Sequence, residues 1–129
     1  IYFKGKPCHV YGTMPSVGDS APCFHLAGKD LAQVQCNDFR NKTVVLNIFP
    51  SLDTEICARS VRRFNEEASK LEDTVGICVS MDLPFAMNRF CTLEGINDVV
   101  FASDRLCLRR NSECRYATAF LPDYWPARS

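Results

Sequence analysis

β-branched and apolar residues fill positions 43–49 (TVVLNIF) with no turn former among them, a pattern that predicts a strand buried on both faces of a mainly parallel sheet. Pro50 stops it. Ser51, Asp53 and Thr54 then offer three side chains able to cap a helix, and beyond them Cys57, Val61, Phe64, Ala68 and Leu71 recur at intervals of four, three, four and three. One helical face is therefore apolar, and Cys57 opens it. Glu72 and Asp73 break the pattern, and 74–80 (TVGICVS) reads as a second buried strand, which completes a βαβ unit with parallel strands. The joint carrying Cys57 then falls at the carboxyl end of its strand, where open α/β sheets place their sites.

The remaining pattern is weaker. Residues 1–4 and 8–11 flank the turn signal Gly5-Lys6-Pro7 and predict an N-terminal β-hairpin. Residues 12–22 form an extended loop, short strands over 23–26 and 32–35 flank a turn at Gly28-Lys29-Asp30, and 38–42 turns the chain into the central strand. Residues 84–90, with Pro84 near the start, predict a second helix that delivers Cys91 towards its end, and 98–102 a third strand. The fold class is α/β.

Composition narrows the function classes. The 129 residues are 47% hydrophobic, which suits one soluble domain over 1–129. Fifteen basic residues balance fifteen acidic ones, so no global field draws the chain to nucleic acid or an anionic membrane, and neither is expected as a partner. No apolar run reaches membrane-spanning length, and IYFKGKPC has neither the apolar segment nor the cleavage site of a signal peptide. The chain opens at Ile1 rather than Met, which leaves room for an upstream segment.

Cys8, Cys23, Cys36, Cys57, Cys78, Cys91, Cys107 and Cys114 are evenly scattered, with no Cys-x-x-Cys, so neither a disulfide scaffold nor structural zinc is expected. No metal or other cofactor is implied. A reducing compartment with most thiols free fits better. For His9 and His25, the two histidines, a structural role is expected, and no Ser-His-Asp arrangement is suggested.

Cys57 carries the candidate chemistry. A thiol in the first turn of a helix faces unpaired backbone N–H groups and the positive end of the helix dipole, both of which favour thiolate. Thr54, three residues earlier, can share a face with the sulfur, and Arg59, Arg62 and Arg63 add positive charge nearby. The alternative is a small buried core residue, as most free cysteines are.

The segment 50–57, PSLDTEIC, matches the Pro-x-x-x-Thr-x-x-Cys signature of peroxiredoxins, and NIFPSLDTEICARSVRRFN resembles their thiol peroxidase branch in particular. Downstream, 82–91 (DLPFAMNRFC) is similar to the block in which that branch carries its resolving cysteine. FKGKP, GTMPSVGDSAPCF and 46–50 also run in register with the family, so the likeness covers roughly residues 2–103. It implies a thioredoxin-like fold and a bacterial cytoplasmic protein, with a periplasmic location left open.

By this resemblance, Cys57 is the peroxidatic cysteine that attacks hydrogen peroxide or an organic hydroperoxide. Thr54 hydrogen-bonds among sulfur and peroxide oxygens, and Pro50 shields the pocket. Cys91 resolves the resulting sulfenic acid as an intrachain disulfide with Cys57, which a thioredoxin-like dithiol reduces. The family also forms homodimers and takes an active-site arginine from a later strand.

After Ser103 the likeness ends. DRLCLRRNSECRYATAFLPDYWPARS holds five of the ten arginines, no lysine, and neither clean alternation nor a helical stripe. The family's C-terminal strands and closing helix are expected to be missing or altered here, through divergence, truncation or a frameshift. Ala127-Arg128-Ser129 resembles the context of the family's arginine, which makes Arg128 the candidate. Loss of strands would expose a sheet edge and invite pairing with another chain. Two further readings stay open, a non-catalytic redox-sensing or binding module and an inactive remnant of a thiol peroxidase.

Overall fold

The computed structural model describes residues 2–3, 5–7 and 15–105. Two short strands, β1 (Tyr2–Phe3) and β2 (Lys6–Pro7), pair antiparallel across Gly5. The predicted hairpin is thus present, with its second strand starting two residues earlier than expected; residues 8–11 lie outside the described ones. The main sheet holds β3 (His25–Ala27), β4 (Gln33–Gln35), β5 (Thr43–Ile48), β6 (Thr74–Ser80) and β7 (Val99–Ser103), in the order β4-β3-β7-β6-β5. β5, β6 and β7 run parallel, and β3 is antiparallel to both β7 and β4.

Two helices, α1 (Glu55–Ala68) and α2 (Pro84–Glu94), cover one face. Between helices and sheet lies a core of Phe49, Leu52, Val61, Cys78, Met87, Ile96, Val99 and Phe101. On the opposite face Phe24, Leu26, Val34, Ile77, Val79 and Ala102 form a second cluster, edged by half-buried Val44, Leu46, Ile48, Val75 and Val100. The strict alternation of β6 explains the split: Cys78 packs under the helices, whereas Ile77 and Val79 face the other way.

The βαβ unit forms as expected, and β6 spans the predicted 74–80. Three expectations need correction. β5 is not a strand buried on both faces: it is the last strand of the sheet order, and Val45 is 38% exposed. Central burial needs a neighbour on each side, and among the described residues β5 has one, β6. Leu71 does not extend the helical stripe, because α1 ends at Ala68 and the chain tightens through Lys70 N–H to Glu67 O and Leu71 N–H to Ala68 O, leaving Leu71 exposed. α2 runs past Phe90 to Glu94, so Cys91 lies inside the helix; Gly95, at φ 65°, ends it in the left-handed conformation that glycine adopts without strain.

Candidate active site

β5 reaches its carboxyl end at Ile48, and the Phe49 N–H still bonds Val79 O at 3.0 Å, which anchors the turn that follows to the sheet. Phe49 and Leu52 are buried while Pro50 and Thr54 are exposed, so the turn is pinned by two buried side chains and presents Thr54 outward. Thr54 is the residue preceding α1, and its carbonyl accepts the Ala58 N–H at 3.0 Å. None of the three expected caps closes the helix end with its side chain. Instead the Thr54 hydroxyl donates to Ser51 O at 3.0 Å, and the Ser51 hydroxyl oxygen accepts the Asp53 N–H at 3.1 Å.

Cys57 stands in the first turn of α1, half-buried and free, packed against the core under the helices. The three nearby arginines do not form a free positive cluster. Arg59 pairs with Glu55 at 3.0 Å, Arg63 with Glu67 at 2.7 Å and Glu66 at 3.3 Å, and Arg62 reaches across to Glu94 on α2 at 2.8 Å. Glu55, a residue that could oppose a thiolate, is thereby met by its own cation.

Cys91 packs against the same core cluster as Cys57 and is also a free thiol. Burial pushes its pKa up to about 11, from an ordinary 9.0, against smaller opposing pulls from a backbone hydrogen bond and from Lys29. Its carbonyl accepts the N–H groups of both Gly95 and Ile96, so the residue is tied into the end of α2. One side of the helix borders a cavity of about 390 Å³ lined by Cys91, Met87, Pro84, Phe101 and Lys29 among others. Cys78 is fully buried, and desolvation pushes it up to about 12. Arg128 lies outside the described residues.

Asp82 is the site residue that sequence reasoning passed over. Its carboxylate accepts the Ser51 hydroxyl at 2.7 Å, the Leu52 N–H at 2.8 Å and the Ser80 hydroxyl at 2.8 Å. Its own N–H donates to the Ser80 oxygen at 3.1 Å, and its carbonyl accepts the Ser103 hydroxyl. One residue thus joins the turn before α1 to the carboxyl ends of β6 and β7. The local signal was the polar Ser80-x-Asp82 pair ending a buried strand, although nothing local shows where it points.

Among the described residues, no group of three or more His, Cys, Asp or Glu side chains could hold a metal ion, and no helix is long and apolar enough to cross a membrane. The arrangement offers a half-buried thiol one helical turn from a hydroxyl, with a second thiol on the neighbouring helix against the same core.

The redoxin family model matches residues 16–118. Thiol peroxidase from Corynebacterium glutamicum is 49% identical over 98 residues, 76% of this chain and 59% of its own length. Thiol peroxidase from Mycobacterium bovis is 50% identical over 103 residues, 80% of this chain and 62% of its own. The chain therefore spans about three-fifths of the curated relatives it matches. Among solved structures, a peroxiredoxin-like protein from Aquifex aeolicus superposes with a TM-score of 0.75 at 38% identity, over 80% of this chain and 60% of that one. A thiol peroxidase from Chromobacterium violaceum, at 23% identity and TM-score 0.67 over 85% of this chain and 63% of that one, shares the fold. The fold is thioredoxin-like, and the chain belongs to the redoxin family.

Proposed function

We propose that the chain is a thiol-dependent peroxidase in which Cys57 reduces hydrogen peroxide or an organic hydroperoxide. The observation that carries this reading is the placement of Thr54 immediately before α1 and of Cys57 three residues on in its first turn, at the carboxyl end of β5. The Thr54 hydrogen is committed to the Ser51 carbonyl, so its oxygen is free to accept a hydrogen bond from the peroxide O–H and orient it. The Cys57 thiolate attacks one peroxide oxygen and the O–O bond breaks. The sulfur keeps the attacked oxygen and is oxidised to sulfenic acid, and the other oxygen takes a proton to depart as water or alcohol.

Cys91 then resolves the sulfenic acid. A Cys57–Cys91 bond forms, water is lost, and a thioredoxin-like dithiol returns both sulfurs to thiols at the expense of its own oxidation. Both cysteines belong to helices in the reduced chain, and unless their Cα atoms lie within about 7 Å of each other, closure proceeds with local unwinding. Names borne by the relatives, thiol peroxidase in two bacteria, support the activity.

The test is NADPH-coupled peroxide consumption with thioredoxin and its reductase, for the chain and for Cys57→Ser and Cys91→Ser. Sustained turnover that Cys57→Ser abolishes is the expected result. One stoichiometric oxidation without turnover would replace the peroxidase by a redox-sensing module. No oxidation in a folded chain would leave a remnant whose motif has outlived its activity.

A further inference from the structure

We infer that Asp82 is a positioning residue for the peroxide reaction, holding the 51–54 turn in the geometry that sets Thr54 against Cys57. The inference rests on the peroxidase reading and adds to it a residue that touches neither substrate nor sulfur.

Thr54 makes no side-chain cap, and its hydroxyl is fixed only through the Ser51 carbonyl. Ser51 and Leu52 must therefore be fixed in turn. Leu52 is anchored by its buried side chain, a non-directional contact that sets depth but not orientation. Ser51 also accepts bonds from Asp53 and Thr54 within the turn, but the directional bonds that tie the two residues to the sheet run from the Ser51 hydroxyl and the Leu52 N–H to the two carboxylate oxygens of Asp82. Ser51 Oγ also receives the Asp53 N–H, so the serine hydroxyl relays the position of Asp82 onward to the residue beside Thr54.

Asp82 can serve as a reference point because its own position is over-determined. The Ser80 hydroxyl holds one carboxylate oxygen, the Ser80 oxygen accepts the Asp82 N–H, and the Ser103 hydroxyl holds the Asp82 carbonyl. Ser80 and Ser103 are 1% and 0% exposed at paired positions that end β6 and β7, so the anchor is the buried carboxyl end of two neighbouring strands. A carboxylate accepts and never donates, and all three partners of this one donate to it, which suits a charge-assisted clamp. The position of the reacting pair thus runs from the sheet through Asp82 to Ser51 and on to Thr54.

The experiment measures two rates at Cys57 by quenched-flow mass spectrometry in the full chain: sulfenic acid formation with hydrogen peroxide, and alkylation by iodoacetamide. Peroxide attack needs Thr54 and Cys57 aligned, whereas alkylation needs only an accessible thiolate. Asp82→Ala is expected to lower the peroxide rate about 100-fold, the scale of a 1 Å misplacement, with alkylation changed no more than about twofold. Asp82→Asn keeps an oxygen for the Leu52 N–H and is expected to recover about tenfold of that loss.

Ser51→Ala removes one clamp bond without disturbing the sheet. It should slow the peroxide rate in the wild-type background and add little in Asp82→Asn, because the two act through one bond. Should Asp82→Ala fail to fold, Asp82→Asn and Ser51→Ala decide alone. A peroxide rate unchanged in these variants, or peroxide and alkylation rates falling together, overturns the positioning role while leaving the peroxidase intact. A wild-type chain that forms no sulfenic acid sinks the peroxidase reading itself, and the inference falls with it.

Discussion

Arg62 of α1 grips Glu94 of α2 through two hydrogen bonds, Nε to Oε2 at 2.8 Å and Nη2 to Oε1 at 3.0 Å. Its guanidinium carbon lies 5.9 Å from the Phe90 ring centroid, so a planar cation also rests on an aromatic face. The pair straps together the two helices whose cysteines are proposed to meet.

The hydrogen bond from Arg62 holds the Glu94 carboxyl below its ordinary 4.5. A depressed folded pKa contributes stability that is present above 4.5 and lost as pH falls through the folded value. Glu94→Gln is therefore expected to lower the urea midpoint at neutral pH, and the gap from wild type should close in acid and shrink in high salt, since both groups are solvent-accessible. Denaturation curves at neutral pH and about pH 3 check this. A gap that persists unchanged in acid would mean that the ion pair is not its source.

Alkali probes the buried thiols. Cys78 and Cys91, at about 12 and about 11, have folded pKa values above their ordinary 9.0, chiefly through burial. A raised pKa contributes stability that is full below 9.0 and lost as pH rises through the folded values. Urea unfolding should show stability declining above pH 9, and Cys78→Ala should flatten that decline while costing about 1 kcal/mol at neutral pH from lost core contacts. An equally steep decline in Cys78→Ala would assign it elsewhere.

How far the residues announced all this depends on range. β6 was legible because a short run dominated by β-branched and apolar residues, Thr74, Val75, Ile77, Cys78 and Val79, sits between Glu72-Asp73 and Met81-Asp82. The turn carrying Thr54 and Cys57 was legible because capping residues, proline and the helical stripe all fall within one short segment. The edge position of β5 was not, because it depends on which strands the rest of the chain supplies. Leu71 misled because a period of three and four continues past Ala68 although the backbone does not. Asp82 was invisible as a clamp because its partner Ser51 lies 31 residues away, a distance at which no local pattern speaks.

Among the described residues, the outer edge of β5 pairs with no strand, and 43–48 carries neither charge nor proline to discourage one. The chain is therefore expected to self-associate with rising concentration. Val45→Lys, at a 38% exposed position in the middle of that strand, should reduce association at little cost in stability. Sedimentation velocity over a concentration series distinguishes the outcomes. A wild type that stays monomeric throughout would show that the edge is already covered.

Formation of the Cys57–Cys91 disulfide is expected to loosen α1 where it begins. Cys57 is held in the first turn, where the Ala58 N–H bonds Thr54 O at 3.0 Å, and Cys91 is held by two N–H groups on its carbonyl at the end of α2. Movement of either thiol towards the other is expected to release bonds at one of these ends. Neither helix has a side-chain cap, but the first turn of α1 carries exposed Glu55 and Ile56, whereas α2 is tied down by buried Pro84 and Met87 and by the left-handed Gly95. The turn around Cys57 should yield first. Hydrogen exchange read by mass spectrometry should then show residues 55–60 exchanging at least about tenfold faster in oxidised than in reduced protein, with 84–90 little changed. Protection that is equal in both states would mean the sulfurs meet with the helix intact, and loss confined to α2 would place the moving part on Cys91 instead.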